Sequence, residues 1–445
     1  MTDKLKQLLE EKPFLLADGA VGTNLFAAGL QSGDAPELWN IDAPEKIHAL
    51  HRGFVEAGSD IILTNSFGGT SYRLKLHNAQ DRVHELNLAA AKIARAEAGR
   101  AHRPIVVAGS MGPTGELMEP MGALTHDGAV AAFKAQAEAL IEGGVDVLWI
   151  ETMSSKEEVA AAVDAVKATG HPFVCTMSFD TNRRTMMGIK PAEFTDFCHE
   201  LPVRPIGWGA NCGVGAGEML ETVLGLKSTA AADDIIVAKA NCGIPEFKDG
   251  ALSYSGTLEV MADYARLAVD AGARIIGGCC GTSHDHLKAM AEALDGYTPK
   301  PSLDLTEIEA HFGPVWQIKM PAETSHGASG GSEGGRRGGR PRRSKFTPEI
   351  SASARPGRDS RIPALQVIQT FRHVNLRHAR REIDDNQCPD ICRRICVAND
   401  KFMSGKLLIQ ILKEIDNPLS SPFRKRRDLL HIARARDGTT RKPGR

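Results

Sequence analysis

Residues 145–170 read VDVLWIETMSSKEEVAAAVDAVKATG and contain one complete strand–helix unit. The run at 145–153 is apolar through its middle, as expected for a strand that is buried on both faces. Ser155, followed three residues later by Glu158, has the pattern of a capping box, so a helix is expected to begin there. That helix should run to Gly170, because glycine often ends helices. The stretch therefore predicts a strand, a short turn and a helix.

The same alternation recurs along the first 300 residues. Eight apolar runs are bounded by polar residues, Gly or Pro, and helical stretches lie between them, for example at 126–142 and 257–270. The runs span residues 14–20, 60–67, 104–113, 145–153, 172–180, 206–213, 235–243 and 273–281. Eight alternating units in ~300 residues favour the α/β class and a closed (β/α)₈ TIM barrel. A doubly wound open sheet is the alternative.

The composition changes beyond residue 300. The net charge of −1 conceals a division, because residues 326–445 hold 27 Lys/Arg and 12 Asp/Glu, whereas residues 1–325 carry a charge of −16. Such asymmetry indicates regions under different constraints. We expect a barrel domain at 1–300, its C-terminal segment at 301–325 and a basic, arginine-rich, poorly ordered extension at 326–445. The Gly, Ser and Arg content makes 326–345 linker-like.

Nothing in the sequence indicates a membrane or nucleic-acid partner. No run approaches about 18 uninterrupted apolar residues, and residues 1–11 form a charged amphipathic pattern unlike a signal peptide. Basic runs such as 424–427 lack interleaved aromatic residues, which nucleic-acid binding would favour. We therefore expect a soluble, cytoplasmic protein. Whether it forms a homo-oligomer stays open.

Cysteines stand at the ends of two predicted strands. The sixth run ends with Cys212 between Asn211 and Gly213, and the eighth ends with Cys279 and Cys280. Barrel strands end at one mouth, so the three thiols should meet there. Three cysteine thiolates around Zn²⁺ leave the fourth tetrahedral position open, as in a catalytic site. A thiol entering that position would bind as thiolate, which favours alkylation of a substrate thiol.

Other interpretations of the cysteines remain open. Cys175 and Cys198 fit as small core residues. Cys279 and Cys280 could instead form a vicinal disulfide. Cys242, near the end of the seventh run, could close the zinc site as a fourth ligand or pack beside it.

Six motifs in this order resemble the homocysteine S-methyltransferase family, and among its members the bacterial betaine–homocysteine S-methyltransferases most. They are LADGAVGT at 16–23, LTNSF at 63–67, GSMGP at 109–113, ET at 151–152, ANCG at 210–213 and GGCCGT at 277–282. Together they cover about residues 10–295. The double-cysteine motif, preceded by an Asn-Cys pair, is the most specific of them.

The resemblance implies that the three strand-end thiols ligate Zn²⁺ and that the substrate amino acid lies near Asp18, Gly19 and Glu151. Glu151 would then pair with the ammonium group of homocysteine. As alternatives, Glu151 could serve the N-terminus of the helix that follows it, and Asp18 could only form a turn.

Further candidate contacts to substrate and donor follow the first two strands. Thr64, Asn65 and Ser66 offer hydroxyl and amide donors for the substrate carboxylate. Trp39 could face the onium group of betaine through a cation–π contact. Gly68 stands where the animal enzymes of the family carry a tyrosine, so S-methylmethionine and a methyl-folate or corrinoid donor remain alternatives.

These patterns predict a zinc-dependent enzyme that transfers a methyl group, from betaine as the first candidate, to the sulfur of homocysteine to give methionine. Homocysteine and a small methyl donor are its expected partners. No catalytic side chain is predicted beyond the zinc-activated thiol of the substrate. The alternative from another class is a non-catalytic basic adaptor that acts through residues 326–445.

Overall fold

The computed structural model describes residues 4–314 apart from 32, 244, 249, 250 and 301. The predicted basic extension at 326–445, its linker-like part at 326–345 and most of the segment at 301–325 lie outside these residues. The predicted domain boundaries therefore stay predictions. No helix in the described part of the chain is long and apolar enough to cross a membrane.

Eight parallel strands form the barrel, and each lies within one of the eight apolar runs. They are β1 (Leu15–Leu16), β2 (Ile61–Leu63), β3 (Val106–Met111), β4 (Val147–Met153), β5 (Phe173–Met177), β6 (Gly207–Cys212), β7 (Ile236–Ala240) and β8 (Ala273–Gly278). From β2 to β8 each strand pairs with the next one along the chain. Leu15 on β1 lies opposite Ile275 on β8, and a parallel bridge between Ala17 and Ile61 joins β1 to β2. The predicted barrel is confirmed. The open-sheet alternative is wrong because β1 and β2, which would be the edges of an open sheet, are joined to each other.

A helix follows each barrel strand on the outside. These helices are Pro44–Glu56, Val83–Ala98, His126–Glu142, Lys156–Thr169, Pro191–Glu200, Ala216–Lys227, Leu258–Asp270 and His284–Leu294. Additional α-helices are Lys4–Glu11, Gly22–Ala27, Trp39–Asp42, Ser71–Leu74 and Leu305–Phe312, and 3₁₀ turns lie at Pro36–Leu38, Lys75–His77, Gln80–Arg82 and Thr181–Arg183. The helices predicted at 126–142 and 257–270 are confirmed. The second begins one residue late because Thr257 is its N-cap, accepting a hydrogen bond from the Val260 N–H.

The helix after β4 begins as predicted, but its capping box is incomplete. The Ser155 hydroxyl oxygen accepts a hydrogen bond from the N–H of Glu158. The Glu158 carboxylate does not return this bond. It accepts hydrogen bonds from the N–H and the hydroxyl of Thr114, at 2.8 and 2.6 Å. Glu158 therefore fastens the loop after β3 to the next helix, and a tertiary contact replaces half of the local motif.

Side chains along the strands alternate between the barrel interior and the helical layer. The interior cluster includes Leu15, Ala17, Ile61, Leu63, Val106, Ala108, Val147, Trp149, Val174, Val237 and Ile275. Leu5, Leu8 and Leu9 of the helix Lys4–Glu11 belong to the same cluster. This helix therefore covers the amino-terminal end of the barrel, so the interior is reached from the carboxyl ends of the strands.

An antiparallel hairpin of Pro245–Lys248 and Ala251–Tyr254 follows β7. No pattern in the sequence predicted this hairpin. The Tyr254 ring lies directly against Gly281, where a Cβ atom would overlap the ring. Glycine at 281 thus allows the hairpin to close onto the loop after β8.

Candidate active site

The carboxyl ends of the strands surround a cavity of about 420 Å³. Its lining combines residues at strand ends with residues of the loops after β1 and β2. A second depression, of about 560 Å³, lies near the amino ends of the strands, where Lys12 and Arg103 pair with Asp60. None of the predicted site residues lines this second depression, so the first cavity is the candidate active site.

Three thiols meet on the wall of this cavity. Cys212 Sγ lies 3.2 Å from Cys279 Sγ and 3.7 Å from Cys280 Sγ. The three sulfur atoms all lie within 4.8 Å of one another, and all three cysteines are free. The structure thus brings together the residues that the sequence predicted as a group, with no vicinal disulfide. Three sulfur ligands at this spacing fit a single metal ion of the zinc type.

Two residues near the thiols have an unusual backbone conformation. Cys212 has φ +64°, and Thr152, at an irregularity in the pairing of β4 with β5, has φ +60°. Positive φ is rare for residues with a side chain, and for a β-branched residue it is an outlier. Such conformations persist where surrounding contacts hold them, and they cluster at functional sites.

Asn211 supplies those contacts. Its Oδ1 accepts hydrogen bonds from the N–H of Thr152 at 2.8 Å and from the hydroxyl of Thr176 at 2.7 Å. Its Nδ2 donates to the Thr152 hydroxyl at 2.7 Å and lies 3.8 Å from Cys279 Sγ. One buried amide therefore ties the strained residue of β4 to the thiol cluster.

Cys242 lies beside the cluster without joining it. Its thiol donates to the carbonyl of Gly256 at 3.3 Å, and its N–H donates to the carbonyl of Cys280 at 2.9 Å. Within the described residues, the one group of side chains spaced for a metal ion is the trio of thiols already named. The packing interpretation of Cys242 fits this arrangement, and the four-ligand interpretation does not. Cys175 and Cys198 are buried, and burial raises the pKa of both thiols.

A buried ion pair lies below the cavity. Lys239 Nζ is 2.7 Å from Asp18 Oδ1, and the two side chains are 3% and 0% exposed. The other carboxylate oxygen of Asp18 accepts a hydrogen bond from the N–H of Leu63 at 2.7 Å. Both oxygens of Asp18 are therefore engaged within the protein, and Asp18 does not line the cavity. The direct substrate contact expected from Asp18 does not fit this arrangement.

Lys239 does line the cavity, although it was not among the predicted site residues. Burial lowers its pKa, but the carboxylates of Asp18 and Glu151 outweigh burial and raise the pKa above its usual value, so the ammonium keeps its proton. The available signal was a single lysine inside the apolar run at 235–243, because an unpaired lysine is almost never fully buried.

Glu151 is the carboxylate at the floor of the cavity. It is 8% exposed, and it accepts a hydrogen bond from the Ser110 hydroxyl. Burial raises its pKa to about 7, the positive charge of Lys239 lowers it, and the neighbouring Cys279 raises it. A ligand ammonium would favour the ionised form of this carboxylate.

Thr64 and Asn65 line the cavity, but their side-chain donors are engaged elsewhere. The Ser66 hydroxyl donates to a carbonyl on β3, so the Thr64 hydroxyl donates to Ser66 Oγ at 2.6 Å. Asn65 Nδ2 donates to the carbonyl of Pro36 at 2.8 Å and to Asn40 Oδ1 at 3.0 Å. Asn65 therefore holds the loop after β1 in place, and Thr64, which also accepts a hydrogen bond from the Ser110 N–H, links the end of β2 to β3. Neither arrangement fits the predicted contact with a substrate carboxylate.

Gly19 and Trp39, the remaining predicted residues, differ in placement. Gly19 lines the cavity, and a Cβ there would lie 2.7 Å from the carbonyl oxygen of Thr282, so only glycine fits. Trp39 is not among the described residues that line the cavity, and Lys46 Nζ lies 4.1 Å from its ring centroid. An onium contact with Trp39 therefore does not fit. The aromatic residues that line the cavity are Phe26, Phe67 and Tyr254.

Further charged residues of the cavity lining were not predicted, among them Glu37, Arg73 and His77. Glu37, in the turn Pro36–Leu38, is 5% exposed and accepts a hydrogen bond from the Gly68 N–H at 2.6 Å. Burial raises its pKa, and the positive charges of Arg73 and His77 oppose the rise. Arg73 and His77 line the same cavity from the loop after β2.

Comparison with known proteins gives a family and a fold. The model of the family described as homocysteine S-methyltransferase matches residues 15–294, more than half of the chain. Three solved structures of the Escherichia coli homocysteine methyltransferase MmuM are similar, and each match covers 65% of this chain and 99% of that chain. The oxidized form is 24% identical with a TM-score of 0.55, the metallated form 24% with 0.53, and the apo form 22% with 0.51. At these identities the structural likeness shows the fold.

Proposed function

Since the chain belongs to the homocysteine S-methyltransferase family, we propose that it transfers a methyl group from betaine to the sulfur of homocysteine, with Zn²⁺ held by Cys212, Cys279 and Cys280. The observation that carries this proposal is the trio of free thiols that opens onto a cavity with a carboxylate at its floor.

The donor set fits zinc on chemical grounds. Three sulfur atoms within 4.8 Å of one another, held by two strand ends, leave room for a fourth ligand from the cavity. Bound Zn²⁺ supplies a Lewis acid that lowers the pKa of a thiol in its open position, so a nucleophilic sulfur exists at neutral pH.

The chain's own residues orient the amino acid. Glu151 faces the cavity and offers its carboxylate to the ammonium of homocysteine. Ser110 holds that carboxylate through a hydrogen bond. Lys239 neutralises Asp18 below it, so the floor does not accumulate two uncompensated negative charges. Gly19 lets the loop after β1 pack against the Thr282 carbonyl at the edge of the cavity.

The methyl transfer needs positioning rather than a side-chain acid or base. The sulfur lone pair of deprotonated homocysteine forms the new S–CH₃ bond as the N–CH₃ bond of betaine breaks. The electron pair of that bond stays on nitrogen, so dimethylglycine leaves as a tertiary amine. A cavity that holds both molecules in line supplies the main part of the rate enhancement through proximity.

Two cysteine-to-alanine variants test the metal assignment, one at a proposed ligand and one at a neighbouring thiol. Cys280→Ala should lose bound zinc, measured by elemental analysis, together with methionine formation. Cys242→Ala removes a buried neighbouring thiol and should keep both. Full activity in protein stripped of metal would overturn the metal assignment, and loss of zinc from Cys242→Ala would favour four ligands.

The donor is tested by supplying purified protein and homocysteine with betaine, S-methylmethionine or methyl-folate and assaying methionine. We expect turnover with betaine. Turnover with S-methylmethionine alone, or with methyl-folate alone, would replace betaine by that donor and leave the family activity intact.

A further inference from the structure

Glu37 is one of three carboxylates that line the cavity, together with Asp34 and Glu151. Glu37 is 5% exposed, and within the described residues its carboxylate forms no ion pair. Its hydrogen bond comes from the Gly68 N–H, at 2.6 Å. The positive charges of Arg73 and His77 lower the pKa of this carboxyl without forming an ion pair with it. Few groups therefore replace the water that the buried carboxylate has lost.

Gly68 is what lets Glu37 approach. A Cβ at position 68 would lie 2.9 Å from Glu37 Oε1, closer than ordinary contact allows. Glycine at position 68 therefore leaves the room that the Glu37 carboxylate occupies in the cavity wall. The cavity wall therefore carries the Glu37 carboxylate where a side chain of residue 68 would otherwise stand.

A cation without an ionic partner faces the same cavity. Arg73 is half-buried, and no carboxylate of the described residues lies within ion-pair distance of its guanidinium. Its Nη1 rests over the backbone of Gly115, where a Cβ would lie 3.1 Å away. Guanidinium groups bind carboxylates well because their donors match both oxygens.

Aromatic faces lie among these charges. The Phe67 ring is 37% exposed and packs on Gly112, where a Cβ would lie within 2.5 Å of the ring. Phe26 is 44% exposed and lines the cavity as well. Ring faces attract quaternary ammonium and related onium groups. The cavity therefore offers an anion, a cation and apolar faces, which together match a small zwitterion with methylated onium.

We propose that this part of the cavity, consisting of Glu37, Phe67 and Arg73, selects a zwitterionic methyl donor, with Glu37 beside its onium group and Arg73 on its carboxylate. The inference rests on the proposed function, because it assigns residues to the donor of that reaction. It excludes donors that lack a positive charge at the methylated atom.

The test compares betaine with 3,3-dimethylbutanoate, which has the same shape and carboxylate but a carbon in place of nitrogen. Binding is measured by calorimetry on the zinc-loaded full chain, with L-2-aminobutyrate filling the amino-acid site so that no turnover occurs. The native protein should bind betaine at least about tenfold more tightly than the neutral analogue. Glu37→Gln keeps the acceptor for Gly68 and should reduce this preference to less than about threefold.

Glu158→Gln is the matched control for Glu37. Glu158 is also 5% exposed and hydrogen-bonded, but it does not line the cavity. This variant should keep the full preference for betaine. Arg73→Gln should weaken betaine binding while leaving that of choline, an onium without a carboxylate, unchanged.

The outcomes separate this inference from the proposed function. Equal binding of betaine and its neutral analogue to the native protein, or an unchanged preference in Glu37→Gln, would overturn the inference, even if methionine forms from betaine. Absence of betaine binding would overturn it as well. Charge-selective binding without methionine formation would support the inference and contradict the proposed donor.

Discussion

Replacing Lys239 with methionine isolates the buried ion pair below the cavity. The variant keeps an unbranched side chain of similar length and removes the ammonium group, with its charge and its hydrogen bond to Asp18. Asp18 would then keep its hydrogen bond from Leu63 but lose a partner 2.7 Å away, at a site where its side chain is 0% exposed. We expect the free energy of unfolding to fall by about 3–5 kcal/mol, the usual cost of leaving a buried charge without its partner.

Urea unfolding of the full chain at pH 7.5, followed by circular dichroism, measures this cost. Lys288→Met is the matched control, because its partner Glu292 lies 4.0 Å away and both side chains are about two-thirds exposed. That control should change stability by less than about 0.5 kcal/mol. The double variant Lys239→Met with Asp18→Asn removes both charges and should recover about 2 kcal/mol or more.

Two results would refute this account. A loss below about 1 kcal/mol in Lys239→Met would mean that the pair contributes no more than an exposed one. A double variant as unstable as the single one would mean that the loss comes from packing of the lysine stem rather than from the unpaired carboxylate of Asp18.

Three further predictions address the site and the fold. Burial raises the pKa of the Glu151 carboxyl to about 7, so this carboxylate is mostly ionised at pH 8 and mostly protonated at pH 6. Methionine, which has no thiol to titrate, should therefore bind about tenfold more tightly at pH 8 than at pH 6 by calorimetry. Glu151→Gln should remove this pH dependence, and its absence in the native protein would contradict the role of Glu151 in ammonium binding. A Cβ at Gly209 would overlap the Val237 carbonyl, whereas one at Gly22 meets nothing within 4 Å. Gly209→Ala should therefore lower the unfolding midpoint in urea by far more than Gly22→Ala. Equal midpoints would show that β6 and β7 can move apart to make room for the added methyl group. Ser155→Ala should cost about 1 kcal/mol of stability by removing the N-cap, and a melting temperature within error of the native value would contradict that.

The barrel and the thiol cluster could be predicted because local patterns determine them. Each strand is marked by an apolar run, and the rule that parallel barrel strands end at one mouth places Cys212 with Cys279 and Cys280. Glu151 and Gly19 were expected in the site because of the family resemblance, and the position of Glu151 at the end of β4 agrees with the same rule.

The residues that escaped prediction act through partners far away in the sequence. Lys239 pairs with Asp18, 221 positions earlier, so neither residue reveals the other locally. Glu37 has its role because Gly68, on another loop, leaves it room. Trp39 was expected in the cavity because it follows β1, but loop geometry, which periodicity does not encode, placed Glu37 there instead.

The closure of the barrel by β1 and β8 has a consequence for synthesis of the chain. Cys212 leaves the ribosome 67 residues before Cys279. One of the strands that pair with β1 contains Ile275 and is therefore synthesised last. Until the eighth strand emerges, a nascent chain has two bare sheet edges, which are prone to pairing with other chains. Under the proposed metal assignment, uptake through all three thiols would therefore be a late event in biogenesis. A chain cut short before residue 279 lacks two of the three sulfurs and the double-cysteine turn after the last strand.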